Sequence, residues 1–461
     1  MDFKGREEEL NLILDKINSN AKELVLIYGR RRVGKSALIS ESLNRINIPA
    51  VYYQVPRTNL EMNGRSFAMA IKTSIPEIET SSNFYNDLDA IFTLSEKKPV
   101  VLVIDEFSNL EKITPEITGY LQQKIDCASG KIKIILCGSY IDMMRKLEAY
   151  DSPLHGRFTL TLDLKPFDYL DASLFFPNLS SEDKFKFYAV FGGLPFSLSQ
   201  INPEETLEKN IKRLFLERDL TLTNEIVQGI FGEIQKINSA NVIFNLIISG
   251  NTKWTKLQQK SELGSKAVAN ALKELLNISV LEKRQPINEE DSKKKIFYEI
   301  KDNLINFFYS FVYDGLTLIP SIGVDIYYDT YIKERLEAEY FPKIFEAVSK
   351  EFLTRANKAK KLDTPFYKIG SYRYDDPANK TNGQFDVATM DKLGYRLFEC
   401  KYTKNPIDYK VIYEEKRQTF SLPIGPVRLG FISRNGFELD ENEKKDLTLF
   451  TLDDFYHIDE L

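Results

Sequence analysis

The sequence predicts an α/β fold built on a doubly wound parallel sheet and extended by smaller domains. Three observations predict it. In the first third, short runs that are apolar throughout alternate with amphipathic stretches, as expected of strands buried on both faces and covered by helices. A glycine-rich loop joins the first of these strands to the helix after it. The 461 residues exceed what one packed core holds, so the chain divides into domains of roughly 100–200 residues.

The strands expected in the first third are Leu24–Tyr28, Ala50–Val55, Val100–Ile104, Ile132–Leu136 and Leu160–Leu164. Helical stretches such as Ser66–Thr73, Tyr85–Glu96 and Glu116–Cys127 lie between them. Beyond Pro166 the strand signal fades, and 168–236 reads as helices with polar turns. Then Val242–Ile248, Thr255–Leu263 and Gly264–Asn277 read as three helices. Val268, Ala271, Leu272, Leu275 and Leu276 share one face of the third. Val280–Arg284 and Lys295–Ile300 follow as two strands around a polar loop, which completes the outline of a winged helix. Residues 302–335 are aromatic and partly helical, and Tyr340–Phe352 is an amphipathic helix. The tail turns to strands at Tyr367–Gly370, Phe385–Met390, Tyr395–Cys400, Arg428–Ile432 and Leu447–Leu452, with a helix at Val411–Phe420. No internal repeat or low-complexity segment is found.

Composition narrows the chemistry. Apolar residues make up 43% and charged residues 28%, as in ordinary globular chains. The net charge of −5 excludes a protein that is basic throughout, though not a local basic patch. With only His155 and His457, and only Cys127, Cys137 and Cys400, no Cys/His zinc cluster can be assembled. Carboxylates, lysine, arginine, hydroxyls and a metal ion must carry any reaction. The scattered cysteines, a charged start without an apolar leader, and apolar runs far shorter than the ~20 residues of a membrane helix lead us to expect a cytoplasmic protein without membrane association.

Gly29-Arg30-Arg31-Arg32-Val33-Gly34-Lys35-Ser36 matches the pattern G-x-x-x-x-G-K-[ST], between a strand and a helix beginning Ser36-Ala37. Glycines let backbone N–H groups converge on phosphates, and the helix N-terminus adds positive charge. Lys35 is expected on the β and γ phosphates and Ser36 on Mg²⁺, with ATP the nucleotide. Val100–Ile104 delivers Asp105 as the second Mg²⁺ contact, and Glu106 follows as the base that polarises water. An acid directly after the metal-binding Asp points to an ATPase rather than a small G-domain. The plain alternatives are a basic glycine turn and a strand ending in two solvated acids. Ser139, at the end of the next strand, is a candidate for orienting the water. Arg157 is a candidate for stabilising transition-state charge, in cis or from a neighbouring subunit. A turn serine and a surface arginine fit these two equally well.

Taken in order, Phe3-Lys4-Gly5-Arg6-Glu7, the loop at 29–36, Val100–Glu106, Cys137-Gly138-Ser139, Leu154-His155-Gly156-Arg157 and Gly192-Gly193-Leu194-Pro195 resemble the archaeal-type ATPases of the STAND/AAA+ class of P-loop NTPases. The resemblance covers about 1–235. It implies that Arg6, Gly193 and Pro195 lie near the adenine, that a helical lid follows the core, and that Arg157 senses the γ-phosphate. It also implies a winged helix, in agreement with 237–301. Over 250–301 there are 11 Lys/Arg against 7 Asp/Glu. Lys266 and Lys273 on the recognition helix, and Lys283, Arg284 and Lys293-Lys294-Lys295 on the wing, suit phosphate contacts. A packing or switch module accounts for the same residues.

In the last domain Asp386 enters a strand, and Glu399-x-Lys401 lies on the next, thirteen residues from Asp386 to Glu399. Residues two apart share one strand face, and a hairpin sets Asp386 beside them. Two carboxylates can bind Mg²⁺ while Lys401 steadies the hydroxide. Glu346 can add a third carboxylate. Lys416 and Gln418, and the basic run Arg355, Lys358, Lys360, Lys361, are further phosphate contacts. This set resembles the PD-(D/E)xK, or restriction-endonuclease-like, fold over about 338–461, except that Phe385 stands where a proline is usual.

The expected organisation is an α/β P-loop NTPase parallel sheet at 1–165, a helical lid at 166–236, a winged helix at 237–301, a helical linker at 302–337 and a C-terminal α/β restriction-endonuclease-like domain at 338–461. The leading function is an ATP-hydrolysing switch coupled to a domain that binds DNA and can cut it with Mg²⁺, with a homo-oligomer or protein partner left open. The alternatives are a regulatory NTPase with an inactive nuclease-like docking domain, and a winged-helix DNA-binding regulator.

Overall fold

Five parallel strands, β1 (Glu23–Gly29), β2 (Ala50–Gln54), β3 (Val100–Asp105), β4 (Ile132–Gly138) and β5 (Leu160–Leu164), form one sheet in the order β2-β3-β4-β1-β5. In this computed structural model residues 3–128, 130–217, 221–226, 237–290, 292, 295–376, 381–421 and 427–461 are described. β1, β3 and β4 are buried at every position, which is why their sequences are apolar without alternation. The helices around this sheet are α1 (Glu7–Asn18), α2 (Lys35–Asn44), α3 (Leu60–Ser74), α4 (Phe84–Ser95), α5 (Phe107–Ile113), α6 (Ile117–Cys127) and α7 (Ile141–Lys146). Asn59 caps α3 by accepting from Met62 N, and Asn83 caps α4 by accepting from Tyr85 N and Asn86 N. Because β4 lies between β1 and β3, the end of β4 sits between the glycine loop and the Asp105-Glu106 pair.

The chain folds as two units. Residues 1–166 with 194–196 make the first, and 167–193 with 197–461 the second. Within the second unit the helix Ser181–Phe191 packs with the helix Phe341–Lys358 through Phe185, Phe341 and Phe345. Tyr340 Oη donates to the carbonyl of Ala189 at 2.9 Å. Tyr188 Oη donates to the Glu351 carboxylate at 3.1 Å. Burial, with Asp168 nearby, lifts the Glu351 pKa to about 7. Arg355 pairs with both Asp168 and Asp171, and Lys361 donates to the Asp459 carbonyl at 2.7 Å. These contacts take Arg355 and Lys361 out of the basic run expected near a phosphate backbone, whereas Lys358 and Lys360 are exposed.

The helices Ile237–Ile248, Trp254–Lys260 and Ser265–Asn277 precede a hairpin of β6 (Leu281–Arg284) and β7 (Phe297–Ile300). Val268, Ala271, Leu272 and Leu275 are buried and Leu276 half-buried, while Lys266 and Lys273 are exposed. A second five-stranded sheet follows. It contains β8 (Phe366–Asp376), β9 (Thr381–Asp391), β10 (Gly394–Lys401), β12 (Arg428–Ser433) and β14 (Thr448–Thr451) in the order β14-β12-β10-β9-β8. β11 (Ile407–Asp408) and β13 (Phe437–Glu438) form a short parallel pair, and the helix Tyr409–Ser421 follows β11. The β8-β9-β10 meander is antiparallel, whereas β10-β12-β14 run parallel.

The loop after β6 packs against the last sheet. Pro286 bridges Ser371 on edge strand β8, Ile287 N donates to the Ser371 carbonyl at 2.7 Å, and the Asn288 amide exchanges hydrogen bonds with the Arg373 backbone. Ile287 is buried in one core with Tyr372, Ala388, Leu397 and Phe431. An edge strand has unpaired backbone groups, and this loop satisfies them. Lys283 is exposed as expected, but Arg284 turns inward and Lys295 pairs with Glu289. Lys293 and Lys294 lie outside the described residues. Ile287→Ala should lower the urea or thermal denaturation midpoint of the full chain by the equivalent of about 2–5 kcal/mol, the cost of a core cavity. An unchanged midpoint would mean that the loop is not docked on β8 in solution.

Candidate functional site

The glycine loop leaves β1 at Gly29, where a Cβ would lie 2.4 Å from the Leu164 carbonyl oxygen. Gly34 is at φ +96°, a region that favours glycine. Lys35 is buried and donates to the carbonyls of Gly29 at 2.8 Å and Arg30 at 2.9 Å, so its ammonium is already held inside the loop. Arg30 is buried, Val33 is in the core, and Ser36 and Ala37 are exposed in the first turn of α2, whose N–H groups have no intrahelical acceptor. Arg31 is half-buried, and Arg32 lies over the Phe196 ring at 3.9 Å.

Ser36 Oγ donates to Asp105 Oδ2 at 3.1 Å, and the other Asp105 oxygen accepts from Glu106 N at 2.9 Å. A hydroxyl and a carboxylate oxygen thus face each other where a divalent cation would take both, so the donor set fits Mg²⁺. Glu106 is at φ +54°, strained for a residue with a side chain. Both of its carboxylate oxygens accept from Ser139 Oγ, at 3.1 and 3.2 Å. Lys35, Ser36, Asp105, Glu106 and Ser139 are therefore brought to one edge of the sheet. Tyr52 joins them, its phenol donating to Asp105 Oδ2. Burial, reinforced by Asp105, raises the Tyr52 pKa. Nothing in the residue pattern marks Tyr52, since a tyrosine pair on a strand is ordinary.

Arg6 donates to the Val33 carbonyl at 3.3 Å and to that of Lys165, which ties the first box to the loop. A Cβ at Gly34 would lie 3.5 Å from Pro195 Cγ, so Pro195 stands at the loop. Gly193 belongs to the second unit, where Phe167 N donates to its carbonyl at 2.8 Å and a Cβ would lie 1.8 Å from the Phe167 oxygen. Its close packing on Phe167 is reason enough for glycine there.

Arg157 requires a correction. Thr159 N donates to the Leu24 carbonyl, and Leu160 pairs with Val25, whereas Gly29 pairs with Leu164. Arg157 therefore precedes the amino end of β5, separated from the glycine loop by roughly 13 Å of strand. Its guanidinium grips Asp126 with bonds of 2.8 and 2.7 Å. It cannot reach the γ-phosphate of its own chain, because in a parallel strand the residue before the amino end faces away from the phosphate edge.

In the second sheet the β9–β10 ladder ends at Val387–Phe398, so Asp386 and Glu399 are the next residue on each strand. Lys401 pairs with Glu399 at 2.7 Å and with Glu415 at 3.1 Å. Burial raises the Glu399 pKa, against the pull of Lys401. Burial and then the Asp386 charge push Glu346 up to about 8. The hairpin and the helix thus bring Asp386, Glu346, Glu399 and Lys401 into one cluster. Its composition differs from the expected metal site. Arg284 donates to Asp386 Oδ1 at 2.7 Å and to its backbone carbonyl at 3.0 Å, and also to Glu299 at 3.1 Å. Lys350, half-buried one turn beyond Glu346, has its pKa lowered by desolvation and then by Arg284. Among the described residues no three His, Cys, Asp or Glu are arranged to hold a metal ion. In this conformation the expected Mg²⁺ ligands do not fit a metal, because Arg284 holds the charge of Asp386, Lys401 holds that of Glu399, and Glu346 is pushed towards its neutral form. Sequence reading placed Arg284 on the wing, and it missed Lys350 and Glu415. Only Lys350 carried a signal, four residues after Glu346 on the same helix face. The side chain of Gln418 lies outside the described residues.

Residues 3–201 match the family described as an ATPase domain predominantly from Archaea, and 308–417 match archaeal and bacterial proteins of unknown function. An uncharacterised protein of Methanocaldococcus jannaschii is 30% identical over 98% of this chain and 100% of its own length. The chain belongs to this archaeal ATPase family. A second M. jannaschii protein, described as ATP-binding, is 46% identical over 46 residues, or 10% of this chain and 78% of that protein. The Walker-type ATPase of Pyrococcus abyssi superposes with TM-score 0.51 at 17% identity, covering 67% of this chain and 96% of that one, which is a likeness of fold. The ATPase thus has a nucleotide-binding P-loop domain and is a nucleotide-hydrolysing enzyme. Among the described residues of this ATPase no helix is long and apolar enough to cross a membrane.

Glu346 gives the C-terminal cluster a pH signature. Its folded pKa of about 8 lies above the ordinary 4.5. Its contribution to stability is then complete below 4.5 and is lost as pH rises through about 8. Glu346→Gln should flatten the fall of the thermal midpoint across that window. A variant whose midpoint tracks the wild type across the same pH range would refute the protonated state.

Proposed function

We propose that this protein is an ATP-driven switch in which hydrolysis in the first unit governs a DNA-binding C-terminal domain. The observation that carries the first half is the paired arrangement of Ser36 on Asp105 and Ser139 on Glu106 around the held ammonium of Lys35. Lys35 exchanges its two backbone carbonyls for phosphate oxygens when ATP binds. Ser36 and Asp105 would hold Mg²⁺, which neutralises charge on the phosphates. Glu106, aimed by Ser139, takes the proton of the attacking water. Lys35→Ala should abolish ATP binding in a calorimetric titration, and retained binding would sink the site. Glu106→Gln should bind ATP normally and lose turnover by about 10²-fold or more.

Support for the DNA half is the Asp386, Glu399, Lys401 hairpin in a restriction-endonuclease-like reading, together with exposed Lys266, Lys273 and Lys283 in a winged-helix reading. If the hairpin cuts, wild type nicks supercoiled DNA with Mg²⁺ while Asp386→Ala and Lys401→Ala do not. The bond from Arg284 to Asp386 favours a second reading, in which this domain is an inactive nuclease relative that docks a partner. That reading expects no nicking at any Mg²⁺ concentration, in wild type or in Arg284→Gln. Nicking gained in Arg284→Gln would exclude it.

A further inference from the structure

Three side chains from three different elements meet at the carboxyl edge of the first sheet, outside the residues already assigned. Arg57 Nη2 donates to Tyr140 Oη at 2.7 Å, with the guanidinium carbon 5.7 Å from the ring centroid. Lys112 Nζ lies 3.8 Å from the same centroid. Both cations are exposed, and neither forms an ion pair with a carboxylate among the described residues. Two like charges drawn to one ring repel each other unless an anion joins them.

Their anchoring says which anion. Val55 N donates to the Asp105 carbonyl at 2.9 Å, and the buried amide of Asn109 donates to the Val55 carbonyl at 3.1 Å. The turn carrying Arg57 is thereby fixed beside Asp105. Lys112 lies three residues beyond Asn109 on α5, close to one helical turn. Tyr140 directly follows Ser139, whose hydroxyl is 3.1 Å from Glu106. Arg57 leaves the turn after outermost strand β2, and its contact with Tyr140 ties it to the residue that follows Ser139 at the end of β4, the strand next to the one that ends in the glycine loop. The anion brought to this place is the triphosphate tail of the nucleotide.

We propose that Arg57, with Lys112 beside it, is the cation that takes the γ-phosphate of ATP within the same chain, the role sequence reading offered to Arg157. The inference rests on the ATP reading above. The guanidinium that donates to Tyr140 would exchange that contact for the γ-phosphate of ATP, which ADP lacks. Arg57 is a discriminator of ATP from ADP as well as a stabiliser of the leaving charge.

The test uses the full chain and measures affinity for ADP and for a non-hydrolysable ATP analogue, alongside the steady-state ATPase rate. Arg57→Ala should leave ADP affinity unchanged, abolish the preference for the triphosphate, and lower kcat by about tenfold or more. Arg57→Lys should restore part of both. Lys35→Ala should lose both nucleotides, which separates a failed site from a failed arginine. If wild type binds ATP without turning it over, the proposed function fails, and the triphosphate preference alone decides the role of Arg57. If wild type binds no nucleotide, both fall. Arg57→Ala with kcat and preference within roughly twofold of wild type overturns the inference. So does a loss of DNA binding with the preference intact, because the pair would then serve a nucleic-acid phosphate.

Discussion

Everything at the nucleotide edge depends on the parallel register of five strands. Because β1, β3 and β4 all run the same way, the residues that follow them emerge together: the glycine loop after Gly29, Glu106 after Asp105, and Ser139 after Gly138. The register is exact enough that Gly29 faces Leu164 with no room for a Cβ. β1, β3 and β4 are buried along their whole length, so the polar residues that a ligand can meet gather at their carboxyl ends. The same constraint takes Arg157 away from the γ-phosphate of its own chain, because a residue before the amino end of β5 lies at the opposite edge of the sheet.

The second sheet obeys a different constraint. Carboxylates that are half-buried must be paired or protonated. Asp386 is paired by Arg284, Glu399 by Lys401, and Glu346 is driven towards its neutral form. The guanidinium comes from the hairpin before the domain, and that hairpin is anchored by Ile287 in the core and by backbone pairing to β8. Charge balance at the cluster is therefore inseparable from the docking of the hairpin. Arg284, one of the cations that sequence alone offers to DNA, serves this joint instead.

Local order was legible because it is local. The motif at 29–36, the strand into Asp105 and the hairpin from Asp386 to Lys401 each lie within one or two neighbouring elements, where spacing and hydrophobic period suffice. Element limits agree within a residue for Leu24–Tyr28 within Glu23–Gly29, whereas the helix expected over Tyr340–Phe352 runs on to Lys358. Arg284 was not legible as a partner of Asp386, from which it is separated by 102 residues and a change of fold element. Tyr52, Arg57, Lys112 and Tyr140 carry no pattern of their own either. They matter through the elements beside which they fall.

By itself, then, the sequence determined the local patterns: a glycine loop ending in Lys35-Ser36, an apolar strand running into Asp105-Glu106, and a supply of only two histidines and three cysteines. Periodicity and spacing encode these because each depends on contacts within one supersecondary unit. Only the tertiary structure decided which charges face solvent and which face each other. It turned Arg157 to Asp126, Arg284 to Asp386 and Arg57 to Tyr140. The physical reason is that an arginine is satisfied by any acceptor within reach, and which acceptors those are is set by strand order and docking rather than by its neighbours in the chain.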